Sequence, residues 1–193
     1  MTELGKARGR ARAGPDTRLR IQEVALELFV EQGYEKTSLR EIADRLGVTK
    51  AALYYHFKSK EEIVAATVED FLSEIDDLVA WGREQERCDA TKREVLRRYA
   101  AIVLRRFPSM RFFQQNPTGP HKSTLGGKFR DRMGAVHSLV CDEGGTPHQR
   151  IRALLAIVGM HMGMATFDDG SLSEEEGMQA ALDVAYELIE TKG

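Results

Sequence analysis

The chain has 193 residues, of which 42% are hydrophobic and 30% are charged, and its formal net charge is −2, so it can bury the core of one large or two small domains. No stretch approaches the roughly eighteen apolar residues of a membrane span, and the charged N-terminus lacks a secretory signal, which favours a cytoplasmic protein. Cys88 and Cys141 lie far apart without CxxC spacing, which argues against a disulfide framework or a structural zinc site.

The N-terminal end carries the positive charge. Residues 1–60 contain twelve Lys/Arg and eight Asp/Glu, a net charge of +4, which leaves −6 for residues 61–193. Residues 1–15 form a basic arm, rich in Gly and Ala, that cannot build a core, and we predict that it is flexible. Such an arm either follows a narrow minor groove of DNA or acts only as a solubilising tail, and both interpretations remain open.

Three short helices are predicted over residues 16–60. Pro15 and Asp16 start the first, whose apolar residues recur with the period of one helical face, and Gly33 ends it. These apolar residues are Ile21, Val24, Ala25, Leu28 and Phe29. The three helices together predict a small domain with one core.

The second and third helices are joined by a tight turn. Ser38 and Glu41 form a capping box that starts the second helix, in which apolar residues 39, 42, 43 and 46 share one face. Gly47 ends it because glycine adopts positive φ without strain. Thr49 caps a third helix, and Leu53 and Phe57 face the core from it. This spacing predicts a helix-turn-helix.

The outer face of the third helix suits a major groove. Groove entry requires small residues near base edges, together with hydroxyls, cations and amphipathic aromatics near phosphates. The residues that we predict to contact DNA are Thr37, Ser38, Arg40, Thr49, Lys50, Ala51, Tyr54, Tyr55, His56 and Lys60. For Tyr54, Tyr55 and His56 the alternative is that these aromatics merely complete the small core.

The same residues resemble the N-terminal signature of TetR-type bacterial transcriptional regulators. The resemblance rests on Ile42-Ala43, Gly47-Val48-Thr49, Leu53-Tyr54, His56-Phe57 and Lys60, preceded by Gly33-Tyr34 and Thr37. It extends without a gap from Arg18 to about Ala65, about the first third of the chain. It implies a regulator, most often a repressor, that binds a palindromic operator as a homodimer and is released by a small effector. It also implies a larger helical domain for ligand binding and dimerisation.

Further helices are predicted beyond this signature. Ser59 and Glu62 match a second capping box, which opens a long helix that joins the two domains if it continues to about Glu86. Other helices are expected over residues 92–107, 128–142, 149–167 and from Ser173, capped with Glu176, to the chain end, with a short one at 110–115 inside a loop over 108–127. No strand signal is present, so the predicted class is all-α, with a helix-turn-helix domain at 16–60 and a second domain at 61–193.

The last two predicted helices are unusually apolar for a monomer. They predict a homodimer through a four-helix interface, although they alternatively complete the core of their own domain. A dimer has a functional rationale, since two recognition helices about 34–36 Å apart reach successive major grooves of a palindrome.

Methionine, aromatic and histidine side chains of the second domain are candidates for an adaptable effector cavity, as the resemblance implies. The predicted ligand-binding residues are Trp81, Phe107, Met110, Phe113, Met133, His137, Met160, His161 and Met164, with Phe112, Cys141 and Phe167 in a wider set. For any one of them taken alone, ordinary core packing is the stronger interpretation. His137 and His161 are the candidate polar anchors for a small apolar effector, whose binding is expected to tilt the long helix.

Other classes of function have less support. No nucleophile elbow, phosphate loop, paired carboxylates or HExxH spacing occurs, so we expect no enzyme activity, cofactor or metal site. The first alternative is an effector-independent or nucleoid-type DNA-binding protein, the latter binding without sequence choice. The more remote alternative is a small-molecule carrier or an enzyme with an incidental helix-turn-helix.

Overall fold

The structure is a computed structural model that describes residues 15–106, 112, 122–166 and 172–190. Within these residues the chain forms eight α-helices and no strands, which confirms the predicted all-α class. The helices are α1 (Pro15–Gln32), α2 (Leu39–Leu46), α3 (Lys50–His56), α4 (Lys60–Arg83), α5 (Asp89–Arg105), α6 (Lys122–Val140), α7 (Pro147–Thr166) and α8 (Glu174–Ile189). The predicted basic arm, apart from Pro15, and the predicted short helix over 110–115, apart from Phe112, lie outside the described residues.

The chain divides into two compact units, one ending at Ile63 and the other starting at Val64, so the boundary falls within α4. The first unit holds α1, α2 and α3 around a small apolar core. Its residues Ile21, Ala25, Phe29, Ile42, Leu53 and Phe57 are each at most 2% exposed. Burying a large apolar side chain contributes about 1.5–3 kcal/mol, so these few contacts fix how α3 is presented.

The second unit has one larger core, to which α4, α5, α6, α7 and α8 all contribute. Fully buried examples from successive helices are Ile75, Leu96, Val136 and Met160. The predicted capping box at the start of α8 is confirmed, because Ser173 Oγ accepts the Glu176 N–H at 3.2 Å. No helix in the described ranges is both long and apolar enough to cross a membrane.

Several predicted helix limits were wrong. The loop expected up to residue 127 is helical from Lys122 onward, although each glycine inside a helix costs about 1 kcal/mol. At the start of α4, Ser59 Oγ accepts the Glu62 N–H, but the Glu62 carboxylate accepts the Lys58 N–H at 2.5 Å. The predicted second capping box is therefore only half formed. The helix α4 also ends at Arg83, before the predicted limit.

Candidate functional site

The turn between α2 and α3 has the predicted geometry. Ser38 Oγ accepts the Glu41 N–H at 3.2 Å, and the Glu41 carboxylate accepts the Ser38 N–H at 2.7 Å, so the predicted capping box is confirmed. These hydrogen bonds from Ser38 lower the pKa of Glu41. Gly47 has φ +69°, and the Val48 N–H then bonds to Ala43 O at 3.0 Å. The chain reverses here within a few residues because glycine tolerates this left-handed conformation.

Helix α3 is anchored on one side and open on the other. Thr49 Oγ1 accepts the Ala52 N–H at 3.1 Å, which confirms the predicted N-cap. Leu53 and Phe57 are fully buried. Tyr55, by contrast, is 76% exposed, so an aromatic side chain of α3 stands in solvent and does not complete the core.

A cationic and aromatic surface covers the open side of α3. Lys50 and Ala51 are exposed in the first turn, and Lys50 Nζ lies 5.3 Å from the centre of the Tyr54 ring. Tyr54 and His56 are half-buried, and the Tyr55 and His56 rings meet edge to face at 5.3 Å. We name the residues Thr49, Lys50, Ala51, Tyr54 and Tyr55 the recognition face. Its chemistry suits both base edges and phosphates.

The polar groups of three predicted DNA-contacting residues already have hydrogen-bond partners within the unit. Thr37 is only 2% exposed, and its hydroxyl lies 2.9 Å from Gly33 O. Lys60 Nζ donates to Tyr34 O at 2.5 Å and lies 4.3 Å from the centre of that ring. The Ser38 hydroxyl bonds to Glu41, as described above. These side chains stabilise the turns of the domain through these contacts. Their DNA contacts stay predictions.

Two exposed cations were missed by the sequence interpretation. Lys36 lies in the turn between α1 and α2, and Lys58 directly follows Phe57 at the end of α3. Lys58 Nζ bonds to Tyr54 O at 2.5 Å, which places an ammonium group beside the recognition face. A lysine next to each end of the helix-turn-helix was the available signal. The predicted Arg40 is exposed as well and lies 3.8 Å from Asp44.

The second unit contains a buried polar cluster that joins α5, α6 and α7. The Tyr99 hydroxyl donates to Met133 Sδ at 3.0 Å and is hydrogen-bonded to His161 Nε2. Burial lowers the pKa of His161 to about 4 and raises the pKa of Tyr99. Tyr99 was not among the predicted ligand-binding residues, since only the folded chain brings it next to His161.

The other predicted ligand-binding residues do not all converge on this cluster. Met160 is fully buried in the same core. The Arg98 guanidinium covers the Trp81 ring at 3.7 Å, and His137 Nε2 contacts Arg150 O at 2.9 Å. Phe107, Met110, Phe113 and the side chain of Met164 lie outside the described part of the chain. The ligand-binding assignment therefore stays a prediction.

A separate cleft, open to solvent, lies where α5, α6, α7 and α8 converge. Lys92 lines it and is held by Asp89 at 2.9 Å and Asp142 at 2.8 Å. Arg152 also lines it and donates to the last carbonyls of α8. Of the predicted ligand-binding residues that the structure describes, only Cys141 of the wider set lines this cleft. Its polar groups already bond to one another or to helix ends, which is a structural role.

One side of α7 presents apolar side chains to solvent. They recur at helical spacing, which places them on a single stripe. We name them the apolar stripe: Ile151, Leu154, Leu155, Val158 and Met162, with exposed fractions of 41–57%. Val184 of α8 is similarly exposed, at 54%. Monomeric proteins rarely expose contiguous apolar surface of this kind, so the stripe is a candidate protein interface.

The first unit matches a known family of bacterial proteins. A profile described as "Bacterial regulatory proteins, tetR family" matches residues 21–67, which run from α1 into α4. The HTH-type transcriptional activator FasR of Mycolicibacterium smegmatis is 37% identical over 93 residues, which cover 48% of this chain and 41% of the relative. The HTH-type transcriptional repressor KstR2 of the same species is 36% identical over 69 residues, covering 36% of this chain and 31% of the relative. These matches thus span less than half of each relative.

Solved structures resemble nearly the whole chain. A transcriptional regulator from Aquifex aeolicus superposes with a TM-score of 0.67 at 23% identity, covering 86% of this chain and 96% of that one. PfmR from Thermus thermophilus superposes with a TM-score of 0.66 at 24% identity, covering 87% of this chain and 97% of that one. At these identities the similarity establishes the fold alone, which is a helix-turn-helix unit followed by a larger helical unit.

Proposed function

Because residues 21–67 match the TetR family of bacterial regulatory proteins, we propose that the chain is a TetR-type transcriptional regulator that binds double-stranded DNA through α2 and α3. The observation that carries the proposal is the recognition face. Lys50, Ala51 and Tyr55 are exposed on a short helix whose other side is fixed by Leu53 and Phe57. A rigid helix with exposed cations and hydroxyls meets the requirements of the major groove.

The apolar stripe on α7 supports action as a homodimer. One helix of seven residues offers few base contacts, whereas two copies related by a two-fold axis read both halves of a palindrome. Covering five large apolar side chains removes them from water, which stabilises the dimer. Gly159 is exposed beside the stripe with no atom within 4 Å of an added Cβ, so a partner helix has room to approach.

Regulation by a small apolar effector is the second part of the proposal. The core of the second unit would bind the effector, and α4 runs without a break from Lys60 into that unit. An effector that binds one state of the protein about a hundredfold more tightly shifts the equilibrium by about 2.7 kcal/mol, enough to empty a weakly occupied operator. We propose repression, as in the relative described as a repressor, although another relative is described as an activator.

Selection of bound duplexes from a random DNA library tests this function. We expect an enriched inverted repeat whose half-sites lie about one or two helical turns apart, bound by two copies of the chain. Enrichment without any preferred sequence would favour the nucleoid-type alternative. No retention on DNA or heparin at low salt would favour a small-molecule carrier. A promoter fusion carrying the selected repeat then gives the sign of regulation.

Replacing Lys50 by alanine should alter sequence preference. If its ammonium contacts a base edge, the variant loses about 1–3 kcal/mol on the selected repeat and accepts other bases at that position. Lys58→Ala is the matched control, since Lys58 is also an exposed lysine beside α3 but lies after its last turn. We expect it to weaken binding to all sequences alike. Competition binding with single-base variants of the repeat measures both effects, and unchanged preference in Lys50→Ala would contradict the assignment.

A further inference from the structure

The polar cluster of the second unit lies among apolar and aromatic side chains. The rings of Tyr99 and His161 meet edge to face at 5.4 Å. Phe129 also contacts the His161 ring edge to face at 6.0 Å and stacks on Phe71 at 6.2 Å. Tyr99 is fully buried, whereas His161 is half-buried and keeps some accessible surface. The cluster therefore offers polar atoms at the edge of an apolar, aromatic surrounding.

One atom of this cluster, His161 Nδ1, has no hydrogen-bond partner among the described residues. The Tyr99 hydroxyl has a single hydrogen and two neighbouring acceptors, Met133 Sδ and His161 Nε2. In the tautomer in which His161 Nε2–H donates to the Tyr99 oxygen, that hydrogen goes to Met133 Sδ. A neutral imidazole has a single N–H, so Nδ1 then carries a free lone pair. No donor to Nδ1 lies in the described part of the chain. In this tautomer the nitrogen is an acceptor available to a ligand.

The surroundings also select against charge. Burial holds His161 neutral near pH 7, since its pKa is lowered to about 4, and it keeps Tyr99 neutral by raising the pKa of the hydroxyl. Phe71, Phe129 and Met133 supply no charge to pair with an ion. A charged group placed against them loses its hydration without gaining a partner, which strongly disfavours binding.

We propose that the Tyr99–His161–Met133 cluster binds the hydroxyl group of a neutral, otherwise apolar ligand, with His161 Nδ1 accepting its hydrogen bond. As a statement about the effector of this regulator, this rests on the proposed function. As a statement about ligand binding, it stands alone. The ligand class is an aliphatic or aromatic alcohol, and carboxylic acids and amines that are charged at neutral pH are excluded.

Four probes of similar size separate these features. 1-Octanol is neutral and donates a hydrogen bond, its isomer 1-methoxyheptane is neutral but cannot donate, and octanoate and octylammonium carry opposite charges. Trp81 is the single tryptophan of the chain and packs against the core, so its fluorescence reports binding. At pH 7.5 we expect 1-octanol to bind at least about tenfold more tightly than either ion, and about threefold or more tightly than the ether.

Variants assign the preference to the cluster. His161→Leu should reduce the affinity for 1-octanol to that for 1-methoxyheptane, because Nδ1 is removed while apolar volume remains. If that variant fails to fold, Tyr99→Phe keeps the ring and should at least halve the advantage of the alcohol over the ether. Tyr186→Phe removes a half-buried tyrosine hydroxyl of α8 elsewhere in the unit and should change nothing.

Several outcomes would overturn the proposal. These are binding of octanoate or octylammonium as tight as that of 1-octanol, no binding of any probe up to its solubility, or an alcohol preference that survives in both cluster variants. The DNA-binding proposal is tested separately, on the selected repeat without any probe. If 1-octanol binds as expected but leaves DNA affinity unchanged, the ligand site stands and effector control at this site fails. If DNA binds but the alcohol does not, the ligand site alone fails.

Discussion

Replacing Leu155 and Val158 together by aspartate is expected to convert the protein into monomers and to lower its affinity for the selected repeat by at least about a hundredfold. Both residues lie in the middle of the apolar stripe, with exposed fractions of 50% and 41%. In a dimer centred on this stripe, two copies would bring four carboxylates into an apolar contact, where they repel one another and lose hydration. Sedimentation equilibrium and gel-shift titration measure the two effects.

The matched control for this variant is Ala101→Asp, which adds a carboxylate at an exposed position of α5 in the same unit. It should remain dimeric and bind the repeat normally. Helix content from circular dichroism should be unchanged in both variants, because all three positions are at the surface. A Leu155/Val158 double variant that stayed dimeric would show that the subunits associate through another surface. A monomeric variant that kept full DNA affinity would show that dimerisation is not required for binding.

The second large effect is a loss of stability in acid that depends on His161. Its pKa is about 4 in the folded protein and about 6.5 when unfolded, so below pH 6.5 the unfolded chain binds a proton that the folded chain does not. The contribution of neutral His161 to the free energy of unfolding is therefore fully present above pH 6.5 and is lost as pH falls toward 4. The shift of about 2.5 units corresponds to about 3 kcal/mol.

Urea unfolding between pH 4 and pH 7 isolates this contribution. The unfolding free energy of the wild type should fall by about 3 kcal/mol more over this range than that of His161→Gln, which cannot titrate. His148→Gln replaces an exposed histidine near the start of α7 and should follow the wild-type curve. Parallel curves for the wild type and His161→Gln would show that His161 is protonated in the folded state or is not buried.

Local signals made the first unit predictable. Ser38 with Glu41, Gly47 and Thr49 each act on backbone groups within a few residues, so their spacing alone predicts the turn. The start of α6 was missed because the glycines and prolines before residue 128 favour a loop, whereas the helix begins at Lys122 and includes Gly126 and Gly127. Local signals also miss the polar cluster, in which Tyr99 and His161 are 62 residues apart in sequence.

The roles of individual side chains were harder to predict than the helices that carry them. Lys60 and Thr37 match the requirements of a phosphate contact by residue type. In the folded domain Thr37 donates to Gly33 O within its own turn, whereas the partner of Lys60, Tyr34 O, is 26 residues away and is set by the tertiary structure of the first unit. Conversely, Lys36 and Lys58 match no motif, and they become candidates through their exposure and their position at the two ends of the helix-turn-helix.

The position of Lys60 affects how DNA binding should respond to ionic strength. Each cation that newly neutralises a phosphate releases about one condensed counterion from B-DNA, and this release drives association. Lys60 Nζ is held by Tyr34 O and lies over the Tyr34 ring, so it is not free to approach a phosphate while those contacts persist. In the described part of the first unit, the gain from displaced ions then depends on the exposed Lys36, Lys50 and Arg40, and Lys58 contributes only after its ammonium group leaves Tyr54 O.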